Sequence, residues 1–281
     1  MDNERRQLIN LAYRLLGSLA EAEDAVQDAY ARWFALSPAQ RAEIANPDAW
    51  MTTVTSRICL NVLGSARVRR ERYVGPWLPE PVPAAGDDPA ERVTLDESVS
   101  MAFLVVLESM TPAERVSFIL HDVFGYPFPE IAEIVGRTPA ACRQLATSAR
   151  RRARRAHRKT PPNDKQAAIV RDFKRAWEAG DVGTLIALLD PDATAISDGG
   201  GRVRAFRRPL RGADRIVRAY LGILARGCTL LERTVNGRPG LVARQDGVTV
   251  TVWAFDIADD RITRIWAVRN PDKLRVWQRV T

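Results

Sequence analysis

Phe128-Pro129-Glu130-Ile131-Ala132-Glu133-Ile134-Val135-Gly136-Arg137-Thr138-Pro139-Ala140-Ala141-Cys142-Arg143-Gln144 is the stretch from which the rest of the chain can be read. Its first half places Ile131, Ile134 and Val135 on one face of a helix. Gly136 can end that helix, because a residue without Cβ tolerates the positive φ of a C-terminal cap. Thr138 then supplies a hydroxyl N-cap, and Pro139 fills the first position of a second helix, where its missing N–H is not needed. The second helix, residues 140–156, carries Arg143, Gln144, Thr147, Ser148, Arg150, Arg151, Arg152, Arg154 and Arg155. Residues 136–160 hold nine Lys or Arg and no acid. The pattern is a helix-turn-helix whose second helix fits a DNA major groove and whose basic end can neutralise phosphates.

Charge is unevenly spread around this motif. The net charge of +8 divides into nine basic and eight acidic residues over 1–70, three and twelve over 71–135, and twenty-one and fourteen over 161–281. A basic block beside an acidic one suits a polyanionic partner, with the acidic stretch as a linker kept away from it or a cover for it. A length of 281 residues suggests more than one domain. Cys59, Cys142 and Cys228 lack paired spacing, which argues against a disulfide framework or a zinc site and for a reducing compartment. The N-terminus lacks the apolar core of a signal peptide, and no apolar run approaches the roughly 20 residues that span a bilayer. The expectation is a cytoplasmic protein with no membrane partner, no metal and no cofactor.

Residues 4–36 read as two helices. The first has Leu8, Ile9, Ala12, Leu15, Leu16 and Leu19 at helical spacing. The second has Ala25, Val26, Ala29 and Trp33 on one face and Glu21, Glu23, Asp24 and Asp28 elsewhere. Asn46-Pro47-Asp48 starts a long helix that passes Trp50, Arg57 and Asn61 and ends in Arg67-Val68-Arg69-Arg70. Trp50 is read as packing, and so is Cys142. Pro76, Pro79, Pro81, Pro83 and Pro89 then impose an extended tether. The presence of Tyr73, Val74, Trp77 and Leu78 in it predicts that part of it docks on something, since a plain spacer needs no tryptophan. Helical pattern returns at residues 94–108 and 111–122, the latter opened by the capping box Thr111-Pro112-Ala113-Glu114. Beyond residue 164, helices are predicted at 165–180, 181–189 and 212–226, and strands at 193–197, 229–235, 240–244, 248–256 and 261–269. Asn236-Gly237, Asp246-Gly247 and Asp259-Asp260 are turn signals between the last four strands. Helices followed by an antiparallel meander describe an α+β domain whose curved sheet wraps a helix.

Ala22-Glu23-Asp24-Ala25-Val26-Gln27-Asp28-Ala29-Tyr30-Ala31-Arg32-Trp33-Phe34 resembles the polymerase-binding helix of σ70-type initiation factors. Asn46-Pro47 through Trp50 to Asn61 resembles their promoter-melting segment. With the helix-turn-helix at 128–156, the resemblance is to the compact extracytoplasmic-function branch of sigma factors and covers roughly residues 5–157. It implies that Asp24, Gln27, Asp28 and Trp33 meet core RNA polymerase at the β′ clamp coiled coil, with the β flap as a further contact. It also implies that Asn61 captures a base extruded from promoter DNA, with Arg57, Arg67, Arg69 and Arg70 holding phosphates nearby. The residue types suit these roles. Asp24 and Asp28 share a helix face, and an amide reads an exposed base edge with both donor and acceptor. In the helix-turn-helix, Arg143, Gln144, Thr147, Ser148 and Arg151 are expected to read the upstream (−35) element, since arginine pairs with guanine and glutamine with adenine through two hydrogen bonds. Arg150, Arg154, Arg155 and Arg158 are read as phosphate contacts that carry no sequence information.

The remainder, residues 164–281, resembles the SnoaL-like domains of the nuclear-transport-factor-2-like superfamily. Phe173-Lys174-Arg175-Ala176-Trp177-Glu178-Ala179-Gly180-Asp181, Leu188-Leu189-Asp190-Pro191-Asp192-Ala193 and Pro209-Leu210-Arg211-Gly212 carry that likeness. One sigma-factor group joins such an extension to a linker like Trp77-Leu78-Pro79-Glu80-Pro81, a glycine loop like Asp198-Gly199-Gly200-Gly201-Arg202 and a tail like Asn270-Pro271-Asp272-Lys273-Leu274. The resemblance implies that these elements control the sigma core in cis. The expected fold is therefore multidomain. Two all-α sigma domains, at residues 1–72 and 94–159, flank a Pro-rich linker at 73–93, and an α+β SnoaL-like domain follows at 164–281.

Catalysis by that last domain would need a base set against a proton donor, yet it holds no histidine after His157 and no tyrosine except Tyr220. Asp198 and Asp256 with nearby arginines could form a carboxylate–guanidinium pair or plain salt bridges. The chain is read as no enzyme, with room for a small-molecule ligand in the C-terminal domain. The alternative is a one-component DNA-binding regulator with a small-molecule-binding or enzymatic C-terminal domain. It would bind operator DNA without polymerase, and it leaves the Asp24–Asp28 face without a role.

Overall fold

The computed structural model describes residues 2–71, 73–84, 99–156, 161–224 and 227–278, with the side chains of 2, 66–71, 155–156 and 222–224 also outside the described set. The expected helix start at residue 94, the Pro89 part of the tether and the phosphate contact assigned to Arg158 fall outside the described residues. The chain divides into two compact units, Met1–Glu71 with Leu104–His157, and Arg72–Phe103 with Arg158–Thr281.

The first unit is helical. Helices α1 (Asp2–Leu16), α2 (Leu19–Ala35) and α4 (Pro47–Glu71) pack on one another. Leu8, Leu11, Ala12, Leu15, Ala22, Val26, Ala29, Met51, Ile58 and Cys59 are buried among them. Ser18 caps α2 by accepting from Glu21 N, and Asn46 caps α4 by accepting from Ala49 N. Between them lies a short helix, α3 (Pro38–Ala42), that the sequence reading did not anticipate; Ser37 and Gln40 close a full capping box around its start. The second helical segment enters this unit within α5 (Met101–Glu108) and continues through α6 (Pro112–Phe118) into a π-helical turn, Ile119–Val123. The capping box at Thr111 and Glu114 forms as expected. Then come α7 (Phe128–Val135), Gly136 at φ 69° and α8 (Pro139–Ala156).

The second unit is built on a six-stranded sheet of order β2-β1-β6-β5-β4-β3. Strands β3 (Thr229–Val235), β4 (Arg238–Gln245), β5 (Val248–Ala258) and β6 (Arg261–Val268) form the antiparallel meander expected from the sequence. Its three turns have positive φ at both central residues, Asn236-Gly237, Asp246-Gly247 and Asp259-Asp260, matching the right-handed strand twist. Strand β1 (Leu189–Asp198) lies parallel to β6 and pairs with the short β2 (Leu210–Arg211), so the whole sheet is mixed. Helices α9 (Asn163–Ala179), α10 (Val182–Leu188) and α11 (Ala213–Leu224) pack with one face of it around Phe173, Trp177, Tyr220, Trp253 and Phe255. Residues of opposite parity, Val242, Val252, Ala254, Trp266 and Val268, are buried as well. Linker residues 73–84 and the 3₁₀ turns Pro271–Lys273 and Val276–Gln278 serve that second face, where Leu78, Val82, Leu274 and Trp277 are buried. Covered on both sides, β5 reads Val248-Thr249-Val250-Thr251-Val252-Trp253-Ala254-Phe255, uncharged on both faces until Asp256.

Candidate functional site

On α2, the buried stripe Ala22, Ala25, Val26 and Ala29 fixes which residues face outward. Asp24, Gln27 and Asp28 are exposed together, one helical turn apart. Trp33 stands apart from them. It continues the inner stripe, half-buried, with its ring centroid 5.2 Å from that of Trp50 at an interplanar angle of 59°. Tyr30 and Phe34 stack at 6.3 Å, and Phe34 remains largely exposed.

On α4, Arg57 and Asn61 are both exposed and share a face. Their neighbours Thr55, Ser56, Ile58 and Cys59 are buried, and burial pushes the Cys59 thiol up to about 12. The Arg57 guanidinium donates to the carbonyl oxygen of Glu133 in α7, at 3.0 Å. Arg67, Arg69 and Arg70 stand in the last turns of α4, and their side chains lie outside the described residues.

In the helix-turn-helix, Gly136 N donates to Ala132 O at 2.9 Å and Thr138 Oγ1 accepts from Ala141 N at 3.2 Å. Cys142, Ala146 and Ala149 form the buried side of α8. Arg143, Gln144, Thr147, Arg151 and Arg154 are exposed on it. The Arg143 guanidinium lies 5.2 Å from the Phe128 ring centroid, which orients its base along α7. Thr147 Oγ1 donates back to the Arg143 carbonyl at 2.8 Å. Ser148 is turned inward, half-buried, and donates to Glu114 Oε1 at 2.8 Å. Arg150 makes a two-pronged pair with Asp122 at 2.7 and 2.9 Å, and Arg152 reaches Glu114 at 3.4 Å. Burial would raise the Glu114 pKa, but donation from Thr111 N, Ser148 and Thr111 Oγ1, with the charge of Arg152, holds it below its ordinary value. These acids occupy part of the basic block, while the Arg143-Gln144-Arg151 side stays open.

Two arginines absent from the sequence reading join the helical segments. Buried Arg115 donates to the Leu15 carbonyl at the end of α1 and to Glu108 Oε1, each at 2.8 Å. Burial draws its pKa down to about 10, so it stays charged at neutral pH. Arg14 lies 5.6 Å from the Phe124 ring centroid and donates to Asn10 O at 3.2 Å. Both were hidden in sequence because a charged residue in a helix reads as surface.

The linker and the C-terminal domain meet at Asp198, which has no exposed surface. Its carboxylate accepts from Tyr73 Oη at 2.5 Å, Lys273 Nζ at 2.7 Å, Leu78 N at 2.9 Å and Gly200 N at 3.0 Å. Its carbonyl accepts from Arg269 N and Asn270 N at 2.7 and 3.0 Å. Lys273 also donates to Leu78 O, and its ammonium sits 4.0 Å from the Trp77 ring centroid and 5.2 Å from that of Tyr73. Asn270 Nδ2 donates to Tyr73 Oη at 2.9 Å, and Trp277 Nε1 donates to Pro81 O at 2.8 Å. Burial, with Asp198 beside it, pushes the Tyr73 phenol up. Gly200 has φ 59°, and a Cβ there would collide with the Asn270 amide. A Cβ on Gly199 would come within 2.5 Å of Val203 O.

Trp77, Leu78, Asp198, Gly199, Gly200 and Asn270, named from sequence, are thus brought together. Pro79 is buried in the docked linker, while Arg202 pairs with Asp272 at 3.2 Å near the surface and Pro271 opens the 3₁₀ turn. Tyr73, Lys273 and Trp277 complete the cluster. The expectation of arginine partners holds for Asp256, which reaches Arg264 at 3.9 Å, and gives way at Asp198, whose partner is Lys273. Among the described residues no helix is long and apolar enough to cross a membrane.

Two family models match the chain, one described as Sigma-70 region 2 over residues 1–71 and one as Sigma-70, region 4 over residues 100–152. The chain is 40% identical over 286 residues to the ECF RNA polymerase sigma factor SigJ of Mycobacterium tuberculosis, covering 96% of this chain and 90% of that protein. It is 36% identical over 274 residues to the probable ECF RNA polymerase sigma factor SigI of the same organism, covering 96% and 92%. The crystal structure of the M. tuberculosis extracytoplasmic function sigma factor SigJ matches with a TM-score of 0.79 at 37% identity, over 97% of this chain and 96% of that one. With the helical segments and the α+β domain all spanned by such relatives, the chain belongs to the extracytoplasmic-function branch of the sigma-70 family of RNA polymerase sigma factors.

Proposed function

We propose that this protein binds core RNA polymerase in the cytoplasm, directs it to promoters through its two helical modules, and is restrained in cis by its SnoaL-like domain. Residues 1–72 take the polymerase and the −10 region, residues 94–159 the −35 element, residues 73–93 act as the linker, and residues 164–281 as the regulatory domain. The acidic face Asp24, Gln27 and Asp28 engages the β′ clamp coiled coil, with Trp33 bracing α2 from inside, and the −35 module meets the β flap. Asn61 takes the extruded base; Arg57 and the Arg67–Arg70 tail hold phosphates. Arg143, Gln144, Thr147 and Arg151 read bases, and Ser148 joins them once it leaves Glu114.

The observation that carries this reading is the pairing, on one chain, of an outward carboxylate face on α2 with an outward Arg-Gln face on α8. A DNA-binding regulator has use for the second and none for the first. The reading of the chain as a non-enzyme is supported by the work Asp198 does: its carboxylate oxygens are taken up by Tyr73 and Leu78 of the linker, by Gly200 and by Lys273, leaving no free lone pair aimed at a substrate. Reconstituted run-off transcription with core polymerase tests the proposal. Full-length protein should give less transcript than a truncation after Lys159, and charge reversal at Asp24 and Asp28 should abolish co-elution with core enzyme. Promoter binding that ignores core polymerase would refute it.

A further inference from the structure

Strand β1 alternates, so Asp198 faces the linker while Ser197 faces the other side of the sheet. There Ser197, Arg204, Phe206, Tyr220, Trp253 and Arg269 line a cavity of about 340 Å³. This lies within the size range of small-molecule sites. Three of its walls are aromatic. Phe206 and Tyr220 lie 6.3 Å apart by ring centroid, as do Tyr220 and Trp253, at interplanar angles of 49° and 62°. Two donors on these walls, Tyr220 Oη and Trp253 Nε1, are buried; they lie close to each other, with Ser197 beside the Tyr220 hydroxyl, but among the described residues neither makes a hydrogen bond of ordinary length and angle. A buried donor left unpaired is a standing cost that a ligand oxygen would remove. None of the lining residues is Asp, Glu or His, and two are arginines. The chamber therefore favours an anion or a strong acceptor and repels a cation.

We propose that this cavity binds a small aromatic carboxylate. The ring lies between Phe206, Tyr220 and Trp253; the carboxylate takes hydrogen bonds from Tyr220 Oη and Trp253 Nε1 and the charge of Arg269. Arg269 donates to the Arg204 carbonyl, and a guanidinium has five donors, so it can serve both. Burial pushes the Tyr220 phenol up, which keeps it a donor at neutral pH. Arg204 and Phe206 also line a second cavity together with Val74, Gly75 and Pro76 of the linker. A ligand that moves this shared wall would therefore bear on linker docking; that consequence rests on the cis-regulation proposed above, whereas binding itself does not.

Isothermal titration calorimetry of the full chain with 2-naphthoate, and with 2-naphthamide as its uncharged counterpart, tests the site without polymerase. The expected result is saturable one-to-one binding of the acid and at least tenfold weaker binding of the amide, about the size of a charge-assisted contact. Arg269→Gln should weaken the acid about tenfold or more and Tyr220→Phe several-fold. Arg204→Gln, at an exposed position, should weaken it several-fold as well. No saturable heat with naphthoate, benzoate or cinnamate at millimolar concentration would overturn the proposal. So would equal affinity for acid and amide, or unchanged affinity in both arginine variants. Binding that persists while transcription ignores the ligand would sink only the regulatory consequence.

Discussion

Replacing Asp198 with Asn keeps the shape of the side chain and removes its charge. All four groups on the carboxylate are donors: Tyr73 Oη, Leu78 N, Gly200 N and Lys273 Nζ. An amide accepts at only one end. Whichever way it turns, its NH₂ faces either the Leu78 N–H and the Lys273 ammonium or the Tyr73 hydroxyl and the Gly200 N–H. Lys273 is itself only 8% exposed, so its buried charge loses the carboxylate that lies 2.7 Å away. Removing one partner of such a pair costs about 3–5 kcal/mol. The lower end applies here, because the Leu78 carbonyl and the Trp77 ring still hold the ammonium.

A loss of about 3 kcal/mol is roughly a hundredfold in the equilibrium between docked and released linker, at 1.4 kcal/mol per factor of ten. Hydrogen exchange followed residue by residue reads this directly. The Leu78 amide should lose about two orders of magnitude of protection, while the Trp253 and Phe255 amides in the middle of the sheet keep most of theirs. Lys273→Met in the Asp198→Asn background should recover part of the loss, since it removes the stranded charge. Protection of Leu78 within about threefold of wild type, or strictly additive effects of the two substitutions, would refute the assignment of Asp198 as the anchor of the linker.

Arg143→Ala should cost about 1–3 kcal/mol of discrimination at one base pair of the −35 element, whereas Arg154→Ala should weaken all sequences alike and lower the slope of log affinity against log salt by about one; binding to a panel of single-base promoter variants at several salt concentrations separates the two. Glu114 has a folded-state pKa below its unfolded one, so its contribution is present above about pH 4.5 and disappears as pH falls through the lower folded value. Glu114→Gln should therefore destabilise the helical unit by about 1–2 kcal/mol at pH 7, and urea denaturation should show the gap to wild type closing below about pH 4. A Cβ on Gly240 would meet Trp253 O and Val235 Cγ2, both at 2.6 Å. Gly240→Ala should lower the melting temperature of the C-terminal domain by several degrees, corresponding to about 1–3 kcal/mol of overpacking, whereas Gly247→Ala, with open space around it, should act only through its φ of 79°.

What could be read from sequence was local. Thr111, Thr138 and Gly136 mark helix ends because capping is a contact between residues three or four apart. The three meander turns were legible because Asn-Gly and Asp-Gly state their own backbone geometry. Helix α3 escaped notice because none of its residues is buried, so it lacks an apolar stripe to announce it. The parallel partner of β1 was illegible for a different reason: β6 is more than sixty residues away and nothing in β1 specifies it. Site residues divide in the same way. The outward faces of α2 and α8 follow from helical periodicity, whereas the Asp198–Lys273 pair, 75 positions apart, does not. Two signals point to a docked linker, the tryptophan among prolines and the absence of charge along β5 before Asp256.

Under the proposed cis-regulation, this docking acts on the leash between the helical modules. Residues 72–100 join α4 to α5, and fully extended they would span roughly 95 Å. With residues 73–84 held against the sheet, the part left to extend is residues 85–100, roughly 50 Å. In that reading the Asp198 cluster biases an equilibrium between a short and a long tether, and loss of its charge shifts that equilibrium by about 3 kcal/mol. Driving a two-state system from 1:99 to 99:1 takes about 5.5 kcal/mol of differential binding. Under the proposed cis-regulation, a polymerase surface that engaged Asp24, Gln27 and Asp28 and required the longer span would have to supply that much. A linker held by an apolar strand pairing of twice the strength would stay docked whatever bound, and one held by exposed ion pairs alone, each worth about 1 kcal/mol or less, would never be docked firmly enough to restrain anything. A buried carboxylate shared between a lysine, a tyrosine and two backbone amides sits between those limits.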